Sequence, residues 1–363
     1  MDFQSRADRV QEKMENNEID YTILTKGSNL TYLSGIDAEH YEREFFLVVP
    51  RSSDPFFFLN ELMEDEIREK SIWKSFEVWN DGDNPKKKLE KAVKTDASKV
   101  LIGDEMPARF TLELRRVFDE AEFELASDIL DVLRLQKSED EIEKLQRAAD
   151  IADKTVEDVR SRTEEFIGNT EEKLAEFIES KMDEYGGEEP SFNTVVSSGP
   201  NGSKPHYEHG ERLIKEGDPV VLDFGCYKEQ YPSDQARTLV LGGEPSEKFG
   251  EVHETIKKAQ QKAFEKANPG VKAKEVDRTA RKVIENAGYG KEFIHRTGHG
   301  VGLSVHEPPF INQENDRKLE EGMVFSIEPG IYIEGEFGVR IEDLVVVTEE
   351  GCRRLNKTDR GWK

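Results

Sequence analysis

A short apolar run that ends in an acid constrains this chain most. Residues 220–222 are apolar and predict a buried strand, and Asp223 follows directly. Residues 228–230 predict a turn, after which a second strand would bring Asp234 back past Asp223. Burying two carboxylates on facing strands is costly unless a positive charge, such as a metal ion, lies between them. Taken alone, the two acids favour a solvated hairpin, and only the rest of the chain reverses that preference.

The charge of the chain limits its partners. The 363 residues include 77 Asp and Glu against 52 Lys and Arg, a net charge of -25. Because phosphate groups would be repelled, we expect neither nucleic-acid nor anionic-membrane binding. A strongly hydrated acidic surface also suits life at high salt, where the repulsion is screened. A halophilic host is therefore one hypothesis.

The cysteine content and the hydropathy of the chain indicate its cellular compartment. Cys226 and Cys352 are the only cysteines, which excludes a disulfide framework and favours a reducing environment. The start of the chain has no apolar signal core, and no stretch approaches the ~20 apolar residues of a membrane span. We expect a soluble cytoplasmic protein.

The first 136 residues alternate between helical and strand patterns, which predicts an α/β domain with a mixed sheet. Apolar residues at helical spacing predict a helix over 3–16. The other predicted helices lie near 61–70, 85–94 and 108–118, and the predicted strands at 21–24, 45–49, 56–59, 100–103 and 123–125.

The pattern changes near residue 136, where we place a domain boundary that gives domains 1–136 and 137–363. Ser138 and Glu141 form a plausible capping box for a long helix that runs to about Phe166. Further helices are predicted at 170–185, 246–267 and 273–287, with strands at 193–198, 219–226, 233–241 and through 320–355. An antiparallel sheet flanked by helices, an α+β domain, is the simplest arrangement.

Six of the seven histidines lie between 206 and 306, so proton or metal chemistry is expected in the second domain. Glycines around His299 allow a close backbone approach to a ligand, and imidazole is a common metal ligand. In isolation this stretch is also consistent with a glycine-rich turn that carries surface histidines. His253, in a charged helix, and His40, in a polar loop, are interpreted as solvated residues.

Two further acids belong to predicted apolar strands, one at the end of a strand and one within a strand. Glu328 stands at the end of the run 323–327. In the stretch 338–347 the period of two puts Arg340 and Glu342 on one face of a strand, so that Asp343 points the other way. By the same parity Cys226 faces away from Asp223, which argues against a thiolate ligand.

These residues together predict a site of four carboxylates and one imidazole. Four negative charges in one pocket repel too strongly for one divalent ion, and two ions neutralise them. Oxygen-rich ligands suit Mn²⁺, Co²⁺ or Fe²⁺, leave Zn²⁺ possible, and exclude a cysteine-rich zinc site. The predicted ligands are Asp223, Asp234, His299, Glu328 and Glu342.

The order of these motifs closely resembles the pita-bread metallopeptidases, family M24, which include methionine aminopeptidase, aminopeptidase P and prolidase. The matching stretches are Tyr-Pro-Ser-Asp-Gln-Ala-Arg-Thr, Gly-His-Gly-Val-Gly-Leu-Ser-Val-His-Glu-Pro-Pro, Glu-Pro-Gly and Arg-Ile-Glu-Asp, within about 190–345. Residues 29–35 resemble the Asn-x-x-Tyr-Leu-x-Gly stretch of the creatinase-like N-terminal domain of prolidase and aminopeptidase P. The resemblance implies a pita-bread fold for the second domain.

The resemblance also implies roles for the ligands. Asp223 would bind one metal, Asp234 and Glu342 would bridge both, and His299 and Glu328 would complete the shell of one ion.

It further implies roles toward the substrate. His206 would donate to the substrate or intermediate, His306 would bind the oxyanion, and His295 and Arg340 would contact the proline or C-terminal side. Two departures stand out: Gln-Ala follows Asp234 where Ile-Thr is usual, and Tyr-Glu-His follows His206 where glycine is common. The second leaves His209 a rival to His206 and adds an acid near the substrate mouth.

The function implied is hydrolysis of the Xaa-Pro amide bond by a metal-assisted mechanism, with Glu328 moving a proton. An Xaa-Pro dipeptidase, acting as a homodimer with Mn²⁺ or Co²⁺, is preferred, and an Xaa-Pro aminopeptidase is a close second. The alternatives are a non-peptide C–N hydrolase of the same fold, such as an ectoine hydrolase, and an inactive binding module. Such relatives often lack ligands that this chain keeps.

Overall fold

The computed structural model describes residues 2–37 and 42–363, so that His40 lies outside the described residues. The chain divides into two compact units, Met1–Arg134 and Leu135–Lys363. This division lies two residues before the boundary proposed from the sequence. Of the described helices, none combines the length and hydropathy needed to cross a bilayer.

The first unit is built on a six-stranded mixed sheet, which confirms the predicted fold class. Its order is β4-β3-β2-β1-β5-β6, with antiparallel pairs at β1–β2 and β2–β3 and parallel pairs elsewhere. The strands are β1 Tyr21–Leu24, β2 Phe46–Pro50, β3 Phe56–Asn60, β4 Ser75–Trp79, β5 Lys99–Ile102 and β6 Glu122–Leu125. The helices are α1 Phe3–Asn16, α2 Ser28–Ser34, α3 Glu61–Lys70, α4 Pro85–Ala92, α5 Ala108–Val117 and α6 Ser127–Arg134.

The second unit has four α-helices and twelve strands among the described residues. The helices are α7 Glu139–Arg160, α8 Glu171–Glu184, α9 Glu247–Lys266 and α10 Ala273–Asn286. The strands are β7 Val195–Ser198, β8 Asp218–Phe224, β9 Tyr227–Lys228, β10 Tyr231–Pro232, β11 Gln235–Leu241, β12 Gly298–Gly300, β13 Glu307–Ile311, β14 Val324–Ile327, β15 Gly330–Ile333, β16 Phe337–Arg340, β17 Asp343–Thr348 and β18 Gly351–Arg354.

These strands pair antiparallel throughout, as predicted for an α+β fold. One sheet has the order β11-β8-β7 and another the order β13-β12-β14-β17-β18, and β9–β10 and β15–β16 are separate hairpins. Apolar residues of α7 and α8 pack with the first sheet, and those of α9 and α10 pack with the second. Each helix pair therefore covers one face of a sheet.

The long first helix of this unit is shorter than predicted. The capping box of Ser138 and Glu141 is present, but α7 ends at Arg160 instead of near Phe166. Beyond Val159 the sequence offers no apolar residue to continue the buried face until Phe166. A 3₁₀ turn over Thr163–Phe166 then turns the Phe166 side chain into the core.

The predicted continuous strand over 338–347 is interrupted. It is divided into β16 and β17, which belong to different sheets, and Glu342 lies between them. The Glu342 backbone N–H donates to the Ala236 carbonyl at 3.0 Å, so the chain stays attached to β11 at the change of sheet. Glu342 therefore stands at a junction rather than within a strand.

The interpretation of His253 as a solvated residue is wrong. Its side chain is fully buried in α9. It shares the helix face of Phe249 and Ile256, which the i, i+4, i+7 spacing places toward the core. The charged residues around it in the sequence occupy the other face of the helix.

Candidate metal centre

The predicted site residues of the second unit surround a cavity of about 710 Å³. They arrive from the ends of β8, β14 and β16, from β12, and from the loops between strands. The lining residues are Phe192, Asn193, Val195, Pro205, His206, Glu208, Asp223, Asp234, Ile294, His295, Arg296, His299, His306, Glu328, Arg340 and Glu342.

Strand alternation turns Asp223 into the cavity. Its neighbours Leu222 and Phe224 belong to the core formed with α7 and α8, so Asp223 must point to the opposite face of the sheet. Asp223 pairs with Ala236 on β11, which places Asp234 diagonally across from it. The hairpin therefore brings the two aspartates to one face near the end of the sheet.

Asp234, His299 and Glu342 form the tightest group. One donor atom from each lies within 4.8 Å of the others, and the three residues are 4%, 3% and 1% exposed. His299 Nδ1 lies 3.2 Å from the Gly300 carbonyl, so that nitrogen carries the hydrogen and donates. Nε2 consequently faces the carboxylates, 3.5 Å from Asp234 Oδ2.

Asp223 and Glu328 lie in the same cavity but are engaged by other side chains. Arg340 forms an ion pair with Asp223 through Nη1, and donates from Nε to the Tyr332 hydroxyl at 2.7 Å. Glu328 Oε1 lies 3.2 Å from His299 Nε2 and accepts a hydrogen bond from Ser326 Oγ at 3.2 Å. All five predicted ligands thus reach one cavity, though not one compact group.

The electrostatics of the cavity favour a bound cation. Burial, and after it the neighbouring carboxylates, raise the pKa of Asp234 and Glu342 well above their usual range. Oδ1 of Asp223 and Oε1 of Glu342 are buried with no hydrogen-bond partner among the described residues. Carboxylate oxygens and one imidazole are a donor set that divalent metal ions accept, so the residues present fit such ions.

Asp343, one residue beyond Glu342, is turned away from the cavity. Its carboxylate pairs with Arg237 at 2.7 Å, Arg354 at 2.9 Å and Arg360 at 3.3 Å. Burial alone would raise the pKa of Asp343, but these arginines lower it. Arg237 also donates to the Glu342 backbone carbonyl and thereby holds both residues of the junction.

His295 presents no ring nitrogen to the cavity. Arg340 Nε donates to the Tyr332 hydroxyl, which in turn donates to His295 Nε2 at 3.0 Å. His295 Nδ1 then carries the hydrogen and donates to the Arg296 carbonyl at 2.7 Å. Both nitrogens are therefore occupied, and His295 offers its ring surface to the cavity rather than a hydrogen bond.

The other predicted residues differ in their access to the cavity. His306 and His206 line it, and the His306 ring lies edge-on to His299 with ring centroids 4.1 Å apart. His209, which the sequence left as a rival to His206, is not among the lining residues. Partial burial, and then the neighbouring His299, lower the pKa of His306 to about 4. A neutral His306 can still donate one N–H.

Sequence reasoning missed several residues that hold this site. Tyr332 links Arg340 to His295, and Asp277 on α10 accepts hydrogen bonds from the Thr297 backbone and hydroxyl at 3.1 and 2.8 Å. Arg281 donates to the His295 carbonyl at 3.0 Å. The parity of β15 could have identified Tyr332, but the contacts of α10 depend on tertiary packing.

Each of the two units matches a known protein family or domain. Residues 143–349 match metallopeptidase family M24, and residues 6–136 match the creatinase/prolidase N-terminal domain. The chain is 37% identical to an Xaa-Pro dipeptidase of Pyrococcus horikoshii, over 98% of this chain and 97% of that protein.

Solved structures give the same result. A prolidase from Thermococcus sibiricus superposes with a TM-score of 0.92 at 38% identity, covering 99% of this chain and 98% of that one. An X-Pro aminopeptidase from Thermotoga maritima superposes with a TM-score of 0.84 at 30% identity, covering 98% of each chain. The similarity therefore extends over both units.

Proposed function

Because this chain belongs to metallopeptidase family M24, we propose that it is a dinuclear-metal peptidase that cleaves the Xaa-Pro amide bond, with dipeptides as preferred substrates. The observation that carries the proposal is the buried acidic cavity, in which carboxylate oxygens of Asp223 and Glu342 have no partner among the described residues. The names of the similar proteins, Xaa-Pro dipeptidase and prolidase, support the substrate class.

In this proposal Asp223, Asp234, His299, Glu328 and Glu342 hold two divalent ions, for which Mn²⁺ and Co²⁺ are our first candidates. Such ions supply Lewis-acid polarisation of a carbonyl and lower the pKa of a water molecule. Arg340, now paired with Asp223, would hold that carboxylate in place while its other oxygen binds.

The proposed proton shuttle is Glu328. Although burial opposes its charge, a positive charge at His299, whether a proton or an ion held by Nε2, keeps the pKa of Glu328 below its usual range. It is therefore ionised and able to accept a proton from the attacking water and return it to the proline nitrogen. Ser326 fixes one of its oxygens, which leaves the other for this task.

Two histidines are proposed to contact the substrate. The neutral His306 would donate its N–H to the oxygen on which charge develops, and His206 would donate from the loop between β7 and β8. The ring surface of His295, held by Tyr332, would pack against the proline ring, which has no N–H to satisfy. Arg340 is proposed to act on the substrate side mainly through Asp223 and Tyr332.

Three broader features are also part of the proposal. We propose that the domain boundary lies at residue 136, that the protein is cytoplasmic, and that it forms a homodimer. The two free cysteines, Cys226 buried and Cys352 half-buried, are consistent with a reducing compartment.

The test is a substrate panel assayed with protein loaded with Mn²⁺ or Co²⁺. Hydrolysis of Ala-Pro and Met-Pro, with little cleavage of Ala-Pro-Ala and of Ala-Ala, is the expected result for a dipeptidase. Faster cleavage of the tripeptide would identify an Xaa-Pro aminopeptidase, the activity named for the Thermotoga structure. No hydrolysis of any Xaa-Pro peptide would refute the proposal and favour a non-peptide C–N hydrolase or a binding module.

A further inference from the structure

One acidic residue of the cavity wall has no role in the proposed metal site. Five acids line the cavity, and four of them are proposed ligands, which leaves Glu208. Glu208 is exposed, whereas Asp223, Asp234 and Glu342 are buried. It therefore lies at the rim, where the parts of a substrate remote from the scissile bond would pass.

The loop that carries Glu208 is held in place. The Val196 N–H of β7 donates to the Glu208 carbonyl at 2.6 Å, and Ser197 Oγ donates to the Tyr207 carbonyl at 2.7 Å. The Tyr207 hydroxyl donates to Glu171 on α8 at 2.9 Å. The position of the Glu208 backbone is thus fixed from both sides.

Its carboxylate is oriented but not neutralised. Asn193 Nδ2, also in the cavity wall, donates to Glu208 Oε1 at 2.8 Å. Glu208 forms no ion pair with any of the residues that the structure describes. Once two divalent ions balance the four proposed carboxylate ligands, Glu208 remains a negative charge available to a substrate.

We propose that Glu208 makes the enzyme favour substrates whose N-terminal residue has a positively charged side chain. This rests on the proposed function. The scissile carbonyl must reach the buried acids, and the substrate α-ammonium is one carbon away from it. A lysine or arginine side chain, in contrast, extends toward the exposed rim, where Glu208 can bind its cation.

The test compares Lys-Pro with norleucyl-Pro, which has a similar side-chain length but no charge, using metal-loaded protein. The wild type should show a kcat/KM ratio of roughly 2–5 in favour of Lys-Pro, as expected for a partly exposed charge pair, and this ratio should fall at high KCl. Glu208→Gln keeps the shape and the acceptor for Asn193, and should bring the ratio close to 1. Norleucyl-Pro hydrolysis should stay within about twofold of wild type.

Glu211→Gln is the matched control, because Glu211 is exposed in the same loop but does not line the cavity. It should leave the ratio unchanged. A wild-type ratio of 1 with normal norleucyl-Pro hydrolysis would overturn the inference while sparing the proposed function. An equal loss on both substrates in Glu208→Gln would mean that Glu208 binds the α-ammonium, and a preference for Glu-Pro would assign selection to Arg296; either would overturn it. No hydrolysis of either substrate would instead refute the proposed function.

Discussion

Asp234 and Glu342 in the cavity are as buried as Asp343, but their positive partners differ. Asp343 is balanced from within the protein by Arg237, Arg354 and Arg360. Glu342, its neighbour in sequence, has a buried oxygen with no partner among the described residues. A fully buried acid with arginine partners thus stabilises the fold, whereas one without them favours a cation from solution.

The largest expected effect is on the cavity side of this comparison. Glu342→Gln removes one of the charges that would hold the ions, so metal occupancy by elemental analysis and Xaa-Pro hydrolysis should both fall to background. In excess chelator the same variant should be at least as stable as wild type in urea unfolding, because repulsion within the cavity decreases. Full metal content in the purified variant would show that the Glu342 carboxylate is not needed to hold the ions.

For Asp343, which is paired with arginines, the same kind of substitution should lower the stability of the fold. Asp343→Asn leaves Arg237, which is 1% exposed, without its carboxylate, and should lower the free energy of unfolding by about 3–5 kcal/mol. The loss should be the same with and without metal. Glu350→Gln, at the exposed β17–β18 turn, is the control and should cost less than about 0.5 kcal/mol. A tolerant Asp343→Asn variant would show that the arginine cluster contributes little.

A substitution at His306 tests whether this residue is a metal ligand. Its ring contacts His299 but it is not proposed as a ligand, so His306→Ala should keep both ions. Removal of one oxyanion donor should reduce kcat by about 10²–10³-fold with a small change in KM. Metal content measured beside the kinetics is decisive: a metal-free His306→Ala protein would make His306 a ligand.

His253 is a buried ionisable group of a third kind. It has neither an ion-pair partner among the described residues nor a proposed metal ion, and its imidazole stays neutral. Burial, and then the positive charges of Lys257 and Arg160, lower the pKa of His253 to about 4. The unfolded chain takes up its proton near the ordinary pKa of 6.5, so stability should fall as the pH decreases from about 6.5 to 4, by up to about 3 kcal/mol. Urea unfolding of His253→Leu across this range should lack that part of the slope. Parallel curves for the two proteins would contradict the assignment.

The sequence was most informative where a local rule determines the answer. Periodicity predicted most helices and strands, and strand parity predicted that Asp343 points away from Glu342, although the strand assumed for that argument is broken at Glu342 itself. The burial of His253 was missed because its exposure was predicted from its charged neighbours in sequence. The helical spacing places those neighbours on the other face of the helix. The partners of Asp343 could not be predicted, since Arg237 lies 106 residues away in the sequence and Arg360 follows the last strand.

The change of sheet at Glu342 has a consequence for how the protein is made. The proposed ligands run from Asp223 to Glu342 and converge only when the ends of several strands have paired across two sheets. Contacts of such long sequence separation form slowly, because closing the long loops costs entropy. Ion capture would therefore report completion of the catalytic unit, because a chain that ends before Glu342 lacks one of the proposed ligands.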